Sequence, residues 1–149
     1  MTSKNDSSHR RVEVKRTALG EYRATNERGG TITLHVNPED FTSVELLLTA
    51  IGACTLADVD HITTRRAEPD LLSVEVTGDK VSDEEKGNIM RNLTVTFRAS
   101  YPEGEEGDAA REILPKAIAR SHDRLCTVGR TVEAASPIDS VVGDPERAG

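Results

Sequence analysis

One segment constrains the fold of this chain more than any other, a long and strongly apolar stretch over residues 44–66. Its apolar residues recur with a period of about 3.6 residues, which predicts an α-helix. Thr42 and Glu45 have the spacing of a capping box at its start, and Pro69 follows its end. Further leucines and alanines extend the apolar surface nearly all round. The sequence therefore predicts a central helix that is buried on both sides, by a sheet on one side and by a different part of the structure on the other.

Alternating apolar and polar residues predict strands on both sides of this helix. Residues 11–24 and 31–36 alternate around a turn signal at residues 26–30, which indicates a meander of two or three strands. Residues 71–76 and 89–101 are typical of two further strands that pair as a hairpin.

The rest of the chain predicts a second helix and short strands. We interpret residues 77–88 as a charged loop and residues 109–125 as an amphipathic helix. Pro115 predicts either a kink in that helix or a start near residue 113. Residues 131–134 and 138–142 are short strand candidates.

This order of elements predicts an α+β fold with a largely antiparallel sheet and two long central helices. We expect a disordered segment over residues 1–10, one domain over residues 11–142 and a polar tail over residues 143–149. Only 36% of the residues are hydrophobic, so the chain cannot easily cover so apolar a helix alone. We therefore expect a homodimer that hides the other face of the helix.

Composition excludes several classes of function. The net charge of −7 and the aromatic content of 3% argue against a nucleic-acid surface, which needs basic and stacking side chains. The longest uninterrupted run of apolar residues is short, so we expect no transmembrane helix and no membrane partner. The polar N-terminus lacks the apolar core of a secretion signal. We therefore expect a cytoplasmic protein with reduced thiols.

The two cysteines, Cys54 and Cys126, are the first candidates for chemistry. They are either buried small hydrophobes or a redox pair. A reactive thiolate at Cys54 would lie beyond the first turn of the helix, where the helix dipole no longer lowers a thiol pKa. It would need a cation from elsewhere in the fold. Arg16, Arg23 and Arg28 of the meander are candidates, and the residues alone do not choose among them.

A metal site is the other chemical interpretation of these residues. Cys54, Asp58 and His61 share one helical face, and His122 and Cys126 share another. Such spacings arise easily by coincidence in charged helices, so we expect no metal. No glycine-rich phosphate loop follows a strand, and no G-x-S-x-G motif is present, so neither a nucleotide cofactor nor that type of serine nucleophile is expected.

Three motifs are distinctive together: VELLLTAIGACTLADV in the central helix, LLSVEVTGDK after it and LCTVGRTV near the end. With them, the chain resembles the osmotically inducible and organic hydroperoxide resistance proteins, the OsmC/Ohr family. The separation of 72 residues between Cys54 and Cys126 (126 minus 54) is also similar to that of the family. The resemblance covers residues 11–142 and implies an intertwined α+β homodimer with active sites at the subunit interface.

The resemblance also implies an activity, the thiol-dependent reduction of organic hydroperoxides. Cys54 would be the peroxidatic cysteine and Cys126 the resolving one. The family pairs its reactive cysteine with an arginine and a glutamate. The position of that glutamate is Val44 here, next to Glu45, and Arg16 is nearest in register to the arginine. The resemblance implies an external dithiol or lipoyl-type reductant and no bound cofactor.

The sequence therefore supports two hypotheses. The first is a peroxidase of the peroxiredoxin type in oxidative stress defence, from a divergent OsmC-like subgroup. The second is a non-catalytic OsmC-like protein that binds a small apolar or thiol ligand, or a metal, at the dimer interface. The presence of both cysteines favours the first hypothesis, and the missing glutamate ten residues before Cys54 favours the second.

Overall fold

The computed structural model describes residues 8–145. Most of the predicted disordered segment and the end of the predicted polar tail lie outside these residues. The chain divides into two compact units, one up to Leu48 and one from Thr49 onward. The division falls inside the first helix. The single domain predicted over residues 11–142 stays a prediction.

The first unit contains a three-stranded antiparallel sheet in which the strands follow the order of the chain. These strands are β1 (Val12–Ala18), β2 (Glu21–Asn26) and β3 (Thr31–Leu34). The side chain of Asn26 builds the turn between β2 and β3, because its Oδ1 accepts hydrogen bonds from the backbone N–H groups of Arg28 and Gly30. The predicted meander and its turn are thus confirmed.

The central helix α1 (Ser43–Thr63) begins with the predicted capping box. The Thr42 N–H donates to Glu45 Oε2 at 2.7 Å, and the Glu45 N–H donates to Thr42 Oγ1 at 3.2 Å. Its buried residues form one row with an adjacent glycine: Ile51, Gly52, Thr55, Val59 and Thr63. Within the described chain, the apolar surface of α1 is therefore buried along one stripe only.

After α1, the strands β4 (Leu71–Asp83) and β5 (Gly87–Ser100) form a long antiparallel hairpin. The predicted charged loop over residues 77–88 is wrong, because both strands continue through it to a short turn. Asp83 closes this turn by accepting hydrogen bonds from the N–H groups of Glu85 and Lys86, and it forms an ion pair with Arg91. Most of the charged side chains are exposed on this two-stranded arm, whose strands are joined by backbone pairing.

The segment after the hairpin is helical throughout. It consists of α2 (Glu105–Arg120), a π-helical turn (Ser121–Leu125) and α3 (Thr127–Glu133). The helix starts earlier than predicted, and Pro115 lies inside it. The last turn of the predicted helix is π-helical. The predicted strand over residues 131–134 is wrong, because the Cys126 cap starts a helix there. Residues 138–142 form no strand and are exposed.

Two contacts within the second unit position the later elements. Gly52 of α1 faces β4 so closely that a Cβ there would lie 2.9 Å from the Val76 Cγ2 atom. A small cluster of Ala67, Tyr101 and Ala110 forms a core between β5 and α2. The predicted α+β class with antiparallel sheets is confirmed.

Within residues 8–145, α1 is the one helix long and apolar enough to cross a bilayer by length and composition. A single helix of this kind is weak evidence, because the core helix of a protein outside the membrane passes the same test. The absence of a membrane partner stays a prediction.

Candidate active site

The structure brings together two cysteines that are far apart in the sequence. Cys54 is half-buried in the middle of α1. Cys126 is 3% exposed and lies between the π-helical turn and α3. Both are free thiols, and Cys54 lies close enough to Cys126 for its side chain to raise the pKa of the Cys126 thiol. The two candidate residues named first from the sequence are therefore neighbours in the fold.

The surroundings of Cys126 keep its thiol protonated. Burial is the largest influence, and it raises the pKa of the Cys126 thiol above its ordinary value. The Gly129 N–H, which donates to Cys126 Sγ at 3.3 Å, acts in the opposite direction. Contact with Cys54 and the charge of Asp58 raise the pKa further. Cys126 is thus a neutral thiol at physiological pH.

A chain of buried hydroxyl groups lies beside the cysteine pair. Ser121 is fully buried, and its hydroxyl donates to Asp58 Oδ2 at 2.8 Å. The Thr55 hydroxyl lies 2.8 Å from the same Ser121 oxygen. Sequence reasoning missed this chain. Ser121 lies within the predicted second helix and Asp58 within a possible metal half-site, and no local signal links residues so far apart.

A cavity of about 300 Å³ adjoins Cys126. Its walls are mainly apolar side chains: Ile51, Leu93, Val95, Phe97, Ile118 and Val132. His122 and Glu133 add polar groups to its lining. Cys54 is not among the described residues that line it. The volume is at the small end of the range for ligand sites, which suits a compact apolar molecule.

Arg16 lies on β1 in the sheet of the first unit, opposite Tyr22. Side chains alternate between the two faces of a strand, so Arg16 shares a face with the apolar Val14. Arg23 is paired with Lys15 and therefore lies on the other face of the sheet. Among these two candidate arginines, the sheet places only Arg16 with apolar neighbours. Its role beside Cys54 stays a prediction.

Glu45 is in the first turn of α1, where its carboxylate accepts the hydrogen bond of the Thr42 N–H. Successive residues of an α-helix are rotated by about 100°, so residues nine positions apart lie on opposite faces. Glu45 and Cys54 have this separation. The observed task of Glu45 is capping, and its participation in catalysis stays a prediction.

Comparison with known proteins identifies the family. The model of the OsmC-like proteins matches residues 35–141, which is more than half of the chain. The chain belongs to the OsmC-like family. The match includes Glu45, Cys54 and Cys126, whereas Arg16 lies before it.

The similarity of this OsmC-like protein to its relatives covers most of its length. An uncharacterized protein of Mycobacterium tuberculosis is 28% identical over 134 residues, which are 88% of this chain and 94% of the relative. A hypothetical protein from Aquifex aeolicus has the same fold, with a TM-score of 0.68 and 21% identity over 86% of this chain and 89% of that one. An organic hydroperoxide resistance protein OsmC from Legionella pneumophila has a TM-score of 0.56 and 13% identity, over 83% and 88% of the two chains.

Residues from both metal half-sites have other partners in this OsmC-like chain. His122 Nδ1 lies 2.9 Å from Asp123 Oδ1, and His122 Nε2 lies 2.8 Å from Glu133 Oε1. Cys126 is a neighbour of Cys54, and Asp58 accepts the hydrogen bond of the Ser121 hydroxyl. Within residues 8–145, no three His, Cys, Asp or Glu side chains are arranged to hold a metal ion. The absence of a metal stays a prediction, which metal analysis of the purified protein would check.

Proposed function

We propose that this OsmC-like protein is a thiol-dependent peroxidase that reduces organic hydroperoxides to alcohols in cytoplasmic defence against oxidative stress. The observation that carries the proposal is the proximity of Cys54 and Cys126, which is close enough for Cys54 to raise the pKa of the Cys126 thiol. They are the only two cysteines of the chain, and they come from elements 72 residues apart (126 minus 54). A buried thiol beside a half-buried one suits the formation and reduction of a disulfide.

The proposed reaction has three balanced steps. The Cys54 thiolate attacks the distal oxygen of the hydroperoxide, the O–O bond breaks, and the alkoxide leaves and takes up a proton as the alcohol. The Cys126 sulfur then attacks the resulting sulfenic acid, which forms a disulfide and releases water. An external dithiol, for which a lipoyl-type group is our proposal, reduces the disulfide and is itself oxidised to a disulfide.

The environments of the two cysteines support this division of roles. The raised pKa of Cys126 keeps it a thiol, so it competes poorly for peroxide, because the thiolate is the nucleophile. Cys54 is only half-buried, which leaves its sulfur accessible. The apolar cavity beside the pair suits the organic part of the substrate. Arg16 is our candidate for the cation that activates Cys54, and Glu45 is the candidate carboxylate.

A homodimer is part of the proposal. Val12 and Val14 are 62% and 59% exposed on one face of the first sheet, and much of the apolar surface of α1 is uncovered. Association with a second copy would remove this surface from water. Light scattering should give the mass of two chains at micromolar concentration. A stable monomer would contradict this part of the proposal.

The experiment that tests the activity is peroxide consumption by the reduced protein. One equivalent of cumene hydroperoxide should be consumed, and the wild-type mass should fall by about two hydrogens as the disulfide forms. Cys54→Ser should consume no peroxide. Cys126→Ser should consume one equivalent per site and then stop as a sulfenic acid. Excess hydroperoxide would oxidise that sulfenic acid further. The reverse pattern would exchange the two roles.

One observation favours a second candidate function, a non-catalytic protein that binds a small apolar ligand. The cavity is lined by Cys126, whose pKa is raised, and Cys54 is not part of its lining. In that case the wild-type protein would leave cumene hydroperoxide unconsumed, with both thiols intact. A small apolar alcohol such as cumyl alcohol would still bind, and its binding would be weakened by replacing the wall residue Phe97 with alanine.

A further inference from the structure

Ser121 connects the helix of Cys54 to the segment of Cys126. A serine hydroxyl has one hydrogen, which Ser121 donates to Asp58 Oδ2 at 2.8 Å. The contact with Thr55 must therefore be donated by Thr55. The Thr55 hydroxyl thus donates to the Ser121 oxygen, and the Ser121 hydroxyl donates to the Asp58 carboxylate. Both ends of this chain belong to α1, and Thr55 directly follows Cys54.

The backbone of Ser121 continues this connection to Cys126. The Ser121 carbonyl accepts the Cys126 N–H at 2.8 Å, a bond that closes the π-helical turn. One fully buried residue thus binds α1 through its side chain and Cys126 through its main chain. These bonds connect the helix that carries Cys54 to the backbone of Cys126, its neighbour.

The hydrogen bonds on Ser121 are of a kind that holds geometry. A bond from a hydroxyl to a carboxylate is charge-assisted, and its removal inside a protein leaves a buried polar group without a partner. A π-helical turn also places the next residue differently from an α-helical turn. The position of Cys126 relative to α1 therefore depends on Ser121 and Asp58.

We propose that Ser121, anchored by Asp58, is a positioning residue that holds Cys126 against Cys54 for the step in which the sulfenic acid is resolved. This inference rests on the proposed function. The Cys54 sulfenic acid has two fates: attack by Cys126 gives the disulfide and water, whereas a second hydroperoxide gives the sulfinic acid and a second alcohol. Ser121 favours the first fate.

The ratio of disulfide to sulfinic acid tests this role. It depends on what happens after the sulfenic acid has formed, so it is independent of how fast Cys54 reacts. The reduced protein is treated with ten equivalents of cumene hydroperoxide, and the two products are counted by mass spectrometry. Ser121→Ala should lower the ratio about ten-fold, as expected when one charge-assisted hydrogen bond that positions a reacting group is lost.

Two Asp58 variants separate a positioning effect from effects of packing and of charge. They also test the role of Ser121 if the Ser121→Ala protein does not fold. Asp58→Ala removes the acceptor and should lower the ratio as Ser121→Ala does. Asp58→Asn keeps an oxygen acceptor without the charge and should restore the ratio to within about three-fold of wild type. The matched control is Thr64→Val, which removes the hydroxyl-to-carboxylate bond between Thr64 and Asp60 at the end of the same helix.

The outcomes distinguish this inference from the proposed function. If the wild-type protein forms neither disulfide nor sulfinic acid, the proposed function fails. If it forms disulfide and the Asp58→Ala ratio equals that of wild type, the positioning role is overturned and the peroxidase survives. An equal loss of the ratio in Asp58→Ala and Asp58→Asn also overturns it, because the effect would then come from the charge of the Asp58 carboxylate and not from its hydrogen bond with Ser121. A comparable loss in Thr64→Val would assign the effect to general stability and overturn it as well.

Discussion

The two cysteines are carried by very different pieces of backbone. Cys54 lies in α1, a regular helix of 21 residues with a capping box at its start and one buried row of side chains. Cys126 lies where α2, a π-helical turn and α3 meet, in a segment that also contains a proline inside a helix. Local sequence suffices to specify the first piece, whereas contacts between distant residues shape the second.

This difference has a consequence for the chemistry. The regular helix provides a rigid position for the residue proposed to attack the peroxide. The irregular segment brings its thiol to that position through single hydrogen bonds at Ser121 and Gly129. Substitutions in the Cys126 segment should therefore disturb the pair through backbone placement, and substitutions in α1 should disturb it through packing.

The largest effect is expected at the start of α2. A Cβ at Gly107 would lie 1.7 Å from the carbonyl oxygen of Pro102, which belongs to the backbone and cannot rotate away. Gly107→Ala should therefore cost at least about 3 kcal/mol of unfolding free energy, measured by urea denaturation. Gly143→Ala is the control, because nothing lies within 4 Å of a Cβ there. A Gly107→Ala protein within about 1 kcal/mol of wild type would contradict the placement of α2.

A smaller effect is expected where α1 packs on the hairpin. A Cβ at Gly52 would lie 2.9 Å from Val76 Cγ2 and 3.2 Å from Val74 Cγ2, and valine side chains are stiff. The clash should outweigh the gain of about 1 kcal/mol in helix propensity and leave a net loss of about 1–2 kcal/mol. Ala57→Gly on the exposed side of α1 should lose about 1 kcal/mol through propensity alone. A stabilised Gly52→Ala protein would show that α1 is not close to β4.

The same contrast explains which parts of the fold could be predicted from sequence. The capping box of Thr42 and Glu45 needs residues three positions apart, so a short pattern identifies it. The helical status of Thr131 was missed because β-branched residues there favour a strand locally. The Cys126 cap and the hydrogen bond from Thr131 Oγ1 to the Thr127 carbonyl, 2.7 Å long, support a helix instead.

The candidate site was predictable only in its cysteines. Cys54 and Cys126 were identified by residue type and by a family resemblance, both visible in the sequence. The partnership of Ser121 with Asp58 links residues 63 positions apart, and no periodicity reports such a contact. The continuation of β4 and β5 through charged residues was missed for a similar reason, because pairing between two exposed strands does not require an apolar pattern.

A chemical rather than a structural difference is expected at Cys126. Its raised pKa means that the folded protein retains the thiol proton to a higher pH than the unfolded chain does. Folding stability from this group is therefore full below the ordinary cysteine pKa and decreases as the pH rises beyond it. Alkylation of Cys126 by iodoacetamide, followed by peptide mass spectrometry, should reach half its maximal rate at a higher pH in the folded protein than in urea. The same midpoint in both states would contradict the buried environment.

The smallest effect concerns His122, which follows Ser121 in the irregular segment. Its ring nitrogens face Asp123 at 2.9 Å and Glu133 at 2.8 Å, and two carboxylates on one ring favour the imidazolium form. The hydrogen bond to Asp123, then that to Glu133, raises the pKa of His122 above its ordinary value of 6.5. The stabilisation is therefore complete below the unfolded pKa and is lost as the pH rises through the folded pKa.

The side chain of His122 is 64% exposed, so solvent and salt should screen these pairs and leave little change in unfolding free energy. The titration itself is the sharper measurement. Proton NMR of the His122 ring should give a midpoint above that of a free histidine, and Glu133→Gln should lower it by removing one of the two charges. Raising the salt concentration should lower it too, because exposed pairs are weakened by screening. A midpoint unmoved by Glu133→Gln would mean that α3 does not bring Glu133 to the ring. It would contradict the placement of α3 against the π-helical turn that precedes Cys126.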